Sequence, residues 1–398
     1  MEEAGIEYWK VDWGKRCNDN EYRKMLTRTA EKYAPRLIVE HCHVSAPYNT
    51  PLEPEEAKAA KAEGLSWIFH DIGEQGSLAP NYMEGYKNVM PISHVFRLYD
   101  VTFELGIPTM VERAAKALAA FGPGNPARCL LNCESNPYIG AGLGICFEIL
   151  PLPSKDITYH EQVIKGGRET SENILSMLPN DWIDTLRGGP LFFDMKLLEL
   201  ARALNWHRIA PPFPVGEYIT HLSETILSDS WDLRQQKTWY SNDLSGILVQ
   251  KAPATVCRNM DPVEVKATDN NNSEINVPYV LACKYLNGAV AIATMGRISP
   301  ETGYINPEAD ITADIKEMNA PVGLFGIFGS VTLKAANIQK GAEVWAQDLA
   351  EQTPVNITSK VNIENGILSI PGSVAKEICK PFNESDISEP GMVVVMRT

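Results

Sequence analysis

The sequence predicts an α/β region followed by an all-β region, and three observations carry that expectation. The opening stretch Ile6 to Asp12 is β-prone and ends in an acid and then a glycine, Gly14, after Trp13. A helical segment, Glu21 to Tyr33, and a second β-prone run, Leu37 to Cys42, follow it. The alternation then continues, until short β-prone runs separated by turns take over beyond about residue 250. Strand, acid at the strand tip, helix and strand is the order in which a (β/α)8 barrel presents a catalytic carboxylate. The sequence therefore predicts part of a (β/α)8 TIM barrel over residues 1–250 and an antiparallel β-sandwich over residues 251–398.

Each element has a local reason. Residues 54–63 are rich in Ala and Glu, open on Pro54 and stop at Gly64, so they read as a helix. Leu65 to Phe69 is a short apolar run ending in His70-Asp71. The segment from Gly73 to Pro91 is long for a barrel loop, and loops of that size often carry function. Val95 to Asp100 reads as the next strand with an acid at its end. Pro108 opens a helix to Phe121, with Met110, Val111, Ala114, Ala117, Leu118 and Phe121 at helical spacing. Ala127 to Cys133 reads as a buried strand ending at Glu134.

Gly140 to Gly144 lacks the lysine of a phosphate loop and reads as a turn or as close backbone packing. Tyr159 to Asn205 looks mostly helical, notably Gly189 to Leu204, Trp206 to Ala210 reads as a last barrel strand stopped by Pro211-Pro212, and Leu222 to Arg234 as a last helix. The character changes around Ala254 to Pro262. Beyond it, β-prone runs span Tyr279–Tyr285, Ala289–Met295, Val322–Phe328, Ser330–Leu333, Glu343–Ala346, Gly366–Ile370 and Met392–Arg397. Asn287-Gly288 between the first two is a hairpin signal.

Bulk chemistry narrows the function classes. The 398 residues carry 44% hydrophobic and 22% charged side chains, ordinary for a globular protein of two or three domains. A net charge of −14 argues against nucleic acid or an anionic membrane as partner, because both demand basic patches. Eight cysteines are too sparse for a disulfide scaffold. Cys129 and Cys133, and Cys42 beside His41 and His43, read as buried thiols or as zinc ligands. No run approaches the length of a membrane helix, and Met1-Glu2-Glu3 does not begin a signal peptide.

The stretch Tyr8-Trp9-Lys10-Val11-Asp12-Trp13-Gly14 resembles the Lys-x-Asp signature of the α-galactosidase (melibiase-like) group of retaining glycoside hydrolases. The resemblance implies Asp12 as nucleophile, Lys10 as a ligand of sugar hydroxyls, a strand numbering that starts at the fourth of eight, and missing strands one to three. It would make the chain a piece of a longer protein, with open sheet edges prone to association.

A retaining glycosidase also needs a second carboxyl group to protonate the leaving oxygen and then activate water. By the resemblance that partner is Asp100, with Asp71 as the rival. Arg97 stands where the family often carries an arginine, but one residue closer to the acid than usual. Glu40, His41 and Glu134 fall at strand tips where the family binds sugar, and each is equally readable as a satisfied core or rim residue. Trp9 and Trp13 flank the nucleophile and suit either sugar stacking or packing. The resemblance implies an oligosaccharide or polysaccharide substrate and no cofactor or metal. A non-catalytic carbohydrate-binding protein, or another barrel enzyme, remains open on the same residues.

Overall fold

The computed structural model describes residues 4–11, 16, 19–42, 90–97, 111, 114–115, 118, 130–133, 137–148, 197–214, 223, 226–228, 251–267, 277–299, 303–351, 353–381, 386 and 388–397. The first of its sheets is wholly parallel. Strands β1 (Tyr8–Val11), β2 (Ile38–Cys42), β3 (Val95–Arg97), β4 (Leu130–Cys133) and β5 (Cys146–Glu148) follow one another in sequence order.

This sheet corrects the expected barrel. The strands β1 and β5 are its outer members, and no pairing among the described residues joins one to the other. A (β/α)8 barrel has eight strands, the last bonded to the first. Among the described residues the sheet is open, with five strands. Strand–helix–strand alternation is common to both architectures, so the local pattern could not distinguish them.

Helix α1 (Asn20–Tyr33) connects β1 to β2. Asp19 caps it by accepting a hydrogen bond from the Tyr22 backbone N–H at 2.9 Å. Pro35 disfavours helical geometry at Ala34, and the helix ends there. Arg23, Thr27, Ala30 and Ala34 form its buried stripe, at spacings of four, three and four. The stripe packs on Trp9, Val11, Leu37 and Val39. Farther along, Val111, Ala114 and Leu118 are helical and buried, at the spacing the sequence predicts, and Ala115, outside the predicted set, is buried with them.

Two further corrections concern the end of the α/β region. Trp206 to Ala210 is not a strand: Trp206–Ile209 closes helix α3 (Leu197–Ile209). Its buried residues Glu199, Arg202, Ala203 and Trp206, with Ala210 just past its end, recur every three or four positions, a helical rather than a strand period. The segment expected as a last helix instead holds strand β6 (Ile226–Ser228), which pairs antiparallel with β7 (Lys251–Pro253).

The C-terminal region has two sheets around one core. The larger contains β8 (Thr255–Arg258), β10 (Tyr279–Lys284), β11 (Val290–Met295), β15 (Val322–Phe325), β17 (Glu343–Asp348), β18 (Val355–Asn356) and β21 (Gly391–Arg397). The smaller contains β9 (Glu264–Lys266), β14 (Asp310–Lys316), β16 (Ser330–Ala335), β19 (Asn362–Glu364) and β20 (Ile367–Pro371). A short hairpin, β12 (Arg297–Ser299) with β13 (Gly303–Ile305), and a helix, α4 (Gly372–Ile378), complete it.

These sheets are mixed, not antiparallel as expected. The pairs β8/β10, β11/β15 and β14/β16 run parallel. The expected β10–β11 hairpin is present, with Gly288 at φ +86° in its turn, a conformation that suits glycine.

Burial explains which strands were easiest to read. Strands β14 and β16 alternate, with one side chain in two facing the shared core. By contrast, β11 is buried at every position and β10 at every position but its last. Val280, Ala282, Ile292 and Leu324 lie in the core between the sheets. The other face of the larger sheet is covered by α3 and by α2 (Pro137–Leu143), the helix that joins β4 to β5. Trp206 meets Phe325 and Tyr285 edge-on there, at 5.7 and 5.6 Å between ring centroids. Among the described residues, no helix is long and apolar enough to cross a membrane.

Candidate functional site

All five strands of the parallel sheet point the same way, so their C-terminal ends share one edge. In open α/β sheets that edge is where ligands bind. Three carboxylates follow those ends closely in the sequence: Asp12 directly after β1, Asp100 three residues after β3, and Glu134 directly after β4. Asp12, Trp13, Asp100 and Glu134 themselves lie outside the described residues, as do the rival acid Asp71 and His43.

The described part of the site is built on β1 and β2. Side chains alternate along a strand, so Tyr8 and Lys10 share one face and Trp9 and Val11 the other. In the register, Lys10 stands beside Glu40 and Val11 beside His41. Tyr8 donates its hydroxyl proton to Glu40 Oε2 at 2.6 Å. Glu40 is almost fully buried while Tyr8 is 48% exposed. The face away from α1 therefore carries a phenol, an ammonium and a carboxylate close together. Such a set offers both donors and an acceptor for hydroxyl groups.

His41, grouped with Glu40 by its place in the sequence, faces the opposite way. Its ring is fully buried against α1. Arg23 Nη1 lies 3.3 Å from His41 Nδ1, and Thr27 Oγ1 lies 2.7 Å from His41 Nε2. Because the guanidinium can only donate, Nδ1 accepts, and the neutral ring carries its proton on Nε2 toward Thr27. His41 is thus a core residue satisfied by the helix, and is not brought together with Lys10 and Glu40. Adjacent strand positions necessarily point apart, which is the signal that separates the two.

On the next strand, Val95 pairs with Glu40 and Arg97 with Cys42, which sets the Arg97 backbone at the same edge. His94, not singled out by the sequence, extends the sheet. Its backbone N–H donates to Val39 O at 3.2 Å, and its Nδ1 accepts the Val39 N–H at 3.0 Å. That leaves the proton on Nε2, directed at Glu31 Oε1 3.4 Å away. Tyr8 was likewise missed, though its position two residues before Lys10 marks it as sharing that face.

A second polar centre lies between α3 and the larger C-terminal sheet. Arg202 holds Asp348 by two bonds of 2.7 Å. The backbone of Glu389 is pinned beside it: its carbonyl accepts from Arg202 Nη1 at 2.9 Å and from Tyr138 Oη at 2.8 Å, and its N–H donates to Glu199 Oε1 at 2.8 Å. Burial holds the Tyr138 phenol well above its usual range. This centre is a closed set of satisfied groups that ties α2 and α3 to the sheet.

Gly140 to Leu143, expected as a turn or a close approach, forms most of α2. Gly144, at φ +62°, ends it. Close approach is real at Gly142, where an added Cβ would come within 2.8 Å of the Cβ atoms of Leu281 and Ala293. Among the described residues, no group of three His, Cys, Asp or Glu side chains stands together as metal ligands. Cys257, Cys283 and Cys379 are buried free thiols. Compared with protein-family models and with curated proteins, the chain matches none of them.

Proposed function

We propose that this chain is a glycoside hydrolase of the retaining, α-galactosidase-like kind, acting on terminal sugars of an oligosaccharide or polysaccharide. Asp12 is the nucleophile and Asp100 the acid/base. The observation that carries the reading is the register of Lys10 beside Glu40, one residue before β1 ends at Val11, with Asp12 next in the sequence. The Lys-x-Asp resemblance supplies the chemistry, and the single edge shared by the strand ends supports bringing the carboxylates to one substrate.

In this scheme the Asp12 carboxylate attacks the anomeric carbon as the glycosidic bond breaks, and protonated Asp100 gives its proton to the leaving oxygen. A glycosyl ester on Asp12 results. Asp100, now ionised, takes a proton from water, whose oxygen attacks the anomeric carbon and restores Asp12. Lys10 and Tyr8 bind sugar hydroxyls, Glu40 holds the Tyr8 hydroxyl from beneath, and no metal is required for these steps.

The experiment is trapping with a 2-deoxy-2-fluoro-α-galactosyl fluoride, whose second step is slow, followed by peptide mass spectrometry. A glycosyl adduct on the peptide containing Asp12, absent in Asp12→Ala, is the expected result. Binding of the sugar with neither adduct nor hydrolysis would instead make this a carbohydrate-binding protein.

A further inference from the structure

We propose that Arg23 is the positioning residue for the nucleophile, an inference that rests on the hydrolase reading for its catalytic consequence. The guanidinium of Arg23 is fully buried on α1, four residues into the helix, beneath the C-terminal end of β1. Its Nη1 donates to the carbonyl oxygen of Val11 at 3.0 Å. That carbonyl belongs to the peptide that joins Val11 to Asp12. A peptide unit is planar, so a bond that fixes the direction of its oxygen also fixes its nitrogen, which is the nitrogen of residue 12.

The same Nη1 sits 3.3 Å from His41 Nδ1. His41 is the register partner of Val11 on the neighbouring strand, and its far nitrogen is held by Thr27, one helical turn beyond Arg23. One guanidinium therefore ties the last residue of β1, its neighbour on β2 and the first turns of α1 into a single rigid corner. Among the described residues β1 is an outer strand, paired on one side only, with β2, so its tip is held from that side and by Arg23. A buried arginine is costly to desolvate, and a core of apolar side chains would pack this corner without it. What the guanidinium adds is direction: it sets where the chain leaves the sheet, and hence where the nucleophile begins.

The test uses the full chain with Arg23→Met, Arg23→Lys and, as control, Thr27→Val, which loosens His41 without touching the Val11 carbonyl. Turnover of an aryl α-galactoside is measured beside the amide resonance of Asp12, seen by selective nitrogen-15 labelling of aspartate and assigned with Asp12→Asn. Misplacement of a reacting group by about 1 Å costs on the order of 10²-fold, so Arg23→Met should lose about that factor in kcat with KM within about threefold. Its Asp12 amide resonance should move and broaden. Arg23→Lys, which keeps a donor but not the fork, should recover part of the loss. Thr27→Val should lower stability and leave both readouts at wild type.

Wild-type kcat, or an unmoved Asp12 amide, in Arg23→Met would overturn the proposal even if the variant were less stable. Should Arg23→Met not fold, the same two readouts on Arg23→Lys decide. Should the wild type hydrolyse no glycoside, the hydrolase reading falls, while the Asp12 amide still reports whether Arg23 holds the strand tip.

Discussion

Arg202 grips Asp348 with two parallel hydrogen bonds, Nε to Oδ1 and Nη2 to Oδ2, each 2.7 Å long, and both side chains are buried. The pair joins α3 to the last residue of β17, 146 positions apart in the chain. It fixes the helix over the larger sheet, with Asn205 Nδ2 donating to Leu349 O at 2.6 Å to set its rotation.

Breaking this pair from one side leaves a buried charge without its counter-ion. Asp348→Asn is expected to cost about 3–5 kcal/mol of unfolding free energy, measured by urea denaturation. Replacing both partners, Arg202→Met with Asp348→Leu, is expected to cost less than either single change. A double variant as unstable as the sum of the two singles would show that the pair contributes nothing through its coupling.

Gly142 reverses the usual rule for glycine in a helix. Alanine normally gains about 1 kcal/mol at such a position. Here the new methyl group would stand 2.8 Å from the Cβ atoms of Leu281 and Ala293, on β10 and β11. Neither is the flexible end of a long side chain, so α2 must lift from the sheet. Gly142→Ala is expected to destabilise by about 1–3 kcal/mol in chemical unfolding. A stabilised variant would contradict the close seating of α2.

His207 makes stability depend on pH. Burial on α3 pushes its imidazole down to about 4, with only partial compensation from its bond to the Gly140 backbone. The unfolded chain protonates this histidine near 6.5, so between those values the unfolded state binds the extra proton. The contribution is fully present above pH 6.5 and is lost as pH falls toward 4. Relative to His207→Gln, the wild type is expected to lose on the order of 3 kcal/mol across that window. Parallel stability curves for the two proteins from pH 7 to 4 would sink the assignment.

The elements that could be read from the sequence are those whose residues answer to one neighbour. Helix α1 follows from its Asp19 cap, its buried stripe and Pro35. Strands β14 and β16 obey the simple alternation of a half-buried sheet, though β14 is not among the runs expected from the sequence. Trp206 to Ala210 resembles a strand only as a short segment with Trp206 and Ile209 ahead of two prolines, while its true period shows with the buried Arg202 and Glu199 upstream. Tyr8 and Lys10 share a face by parity alone; that Glu40 stands beside them, and that His41 turns away to Arg23, required the register of two strands 30 residues apart.

By itself, then, the sequence determined the order of an α/β region before a β-rich one, the helix up to Tyr33, the β10–β11 hairpin and the acid that follows the first strand. Only the tertiary structure decided that five parallel strands form an open sheet, that the C-terminal sheets mix parallel with antiparallel pairs, and that α2 and α3 seat on the larger of them. The physical reason is range. Caps, turns and periodicity act over a few residues and are written in the local sequence. Sheet closure and pairing direction depend on which strands meet, at separations of 20 to 32 residues for pairs such as β14/β16 and β11/β15, and the buried Arg202–Asp348 pair joins residues 146 positions apart; none of these exists until the chain has folded.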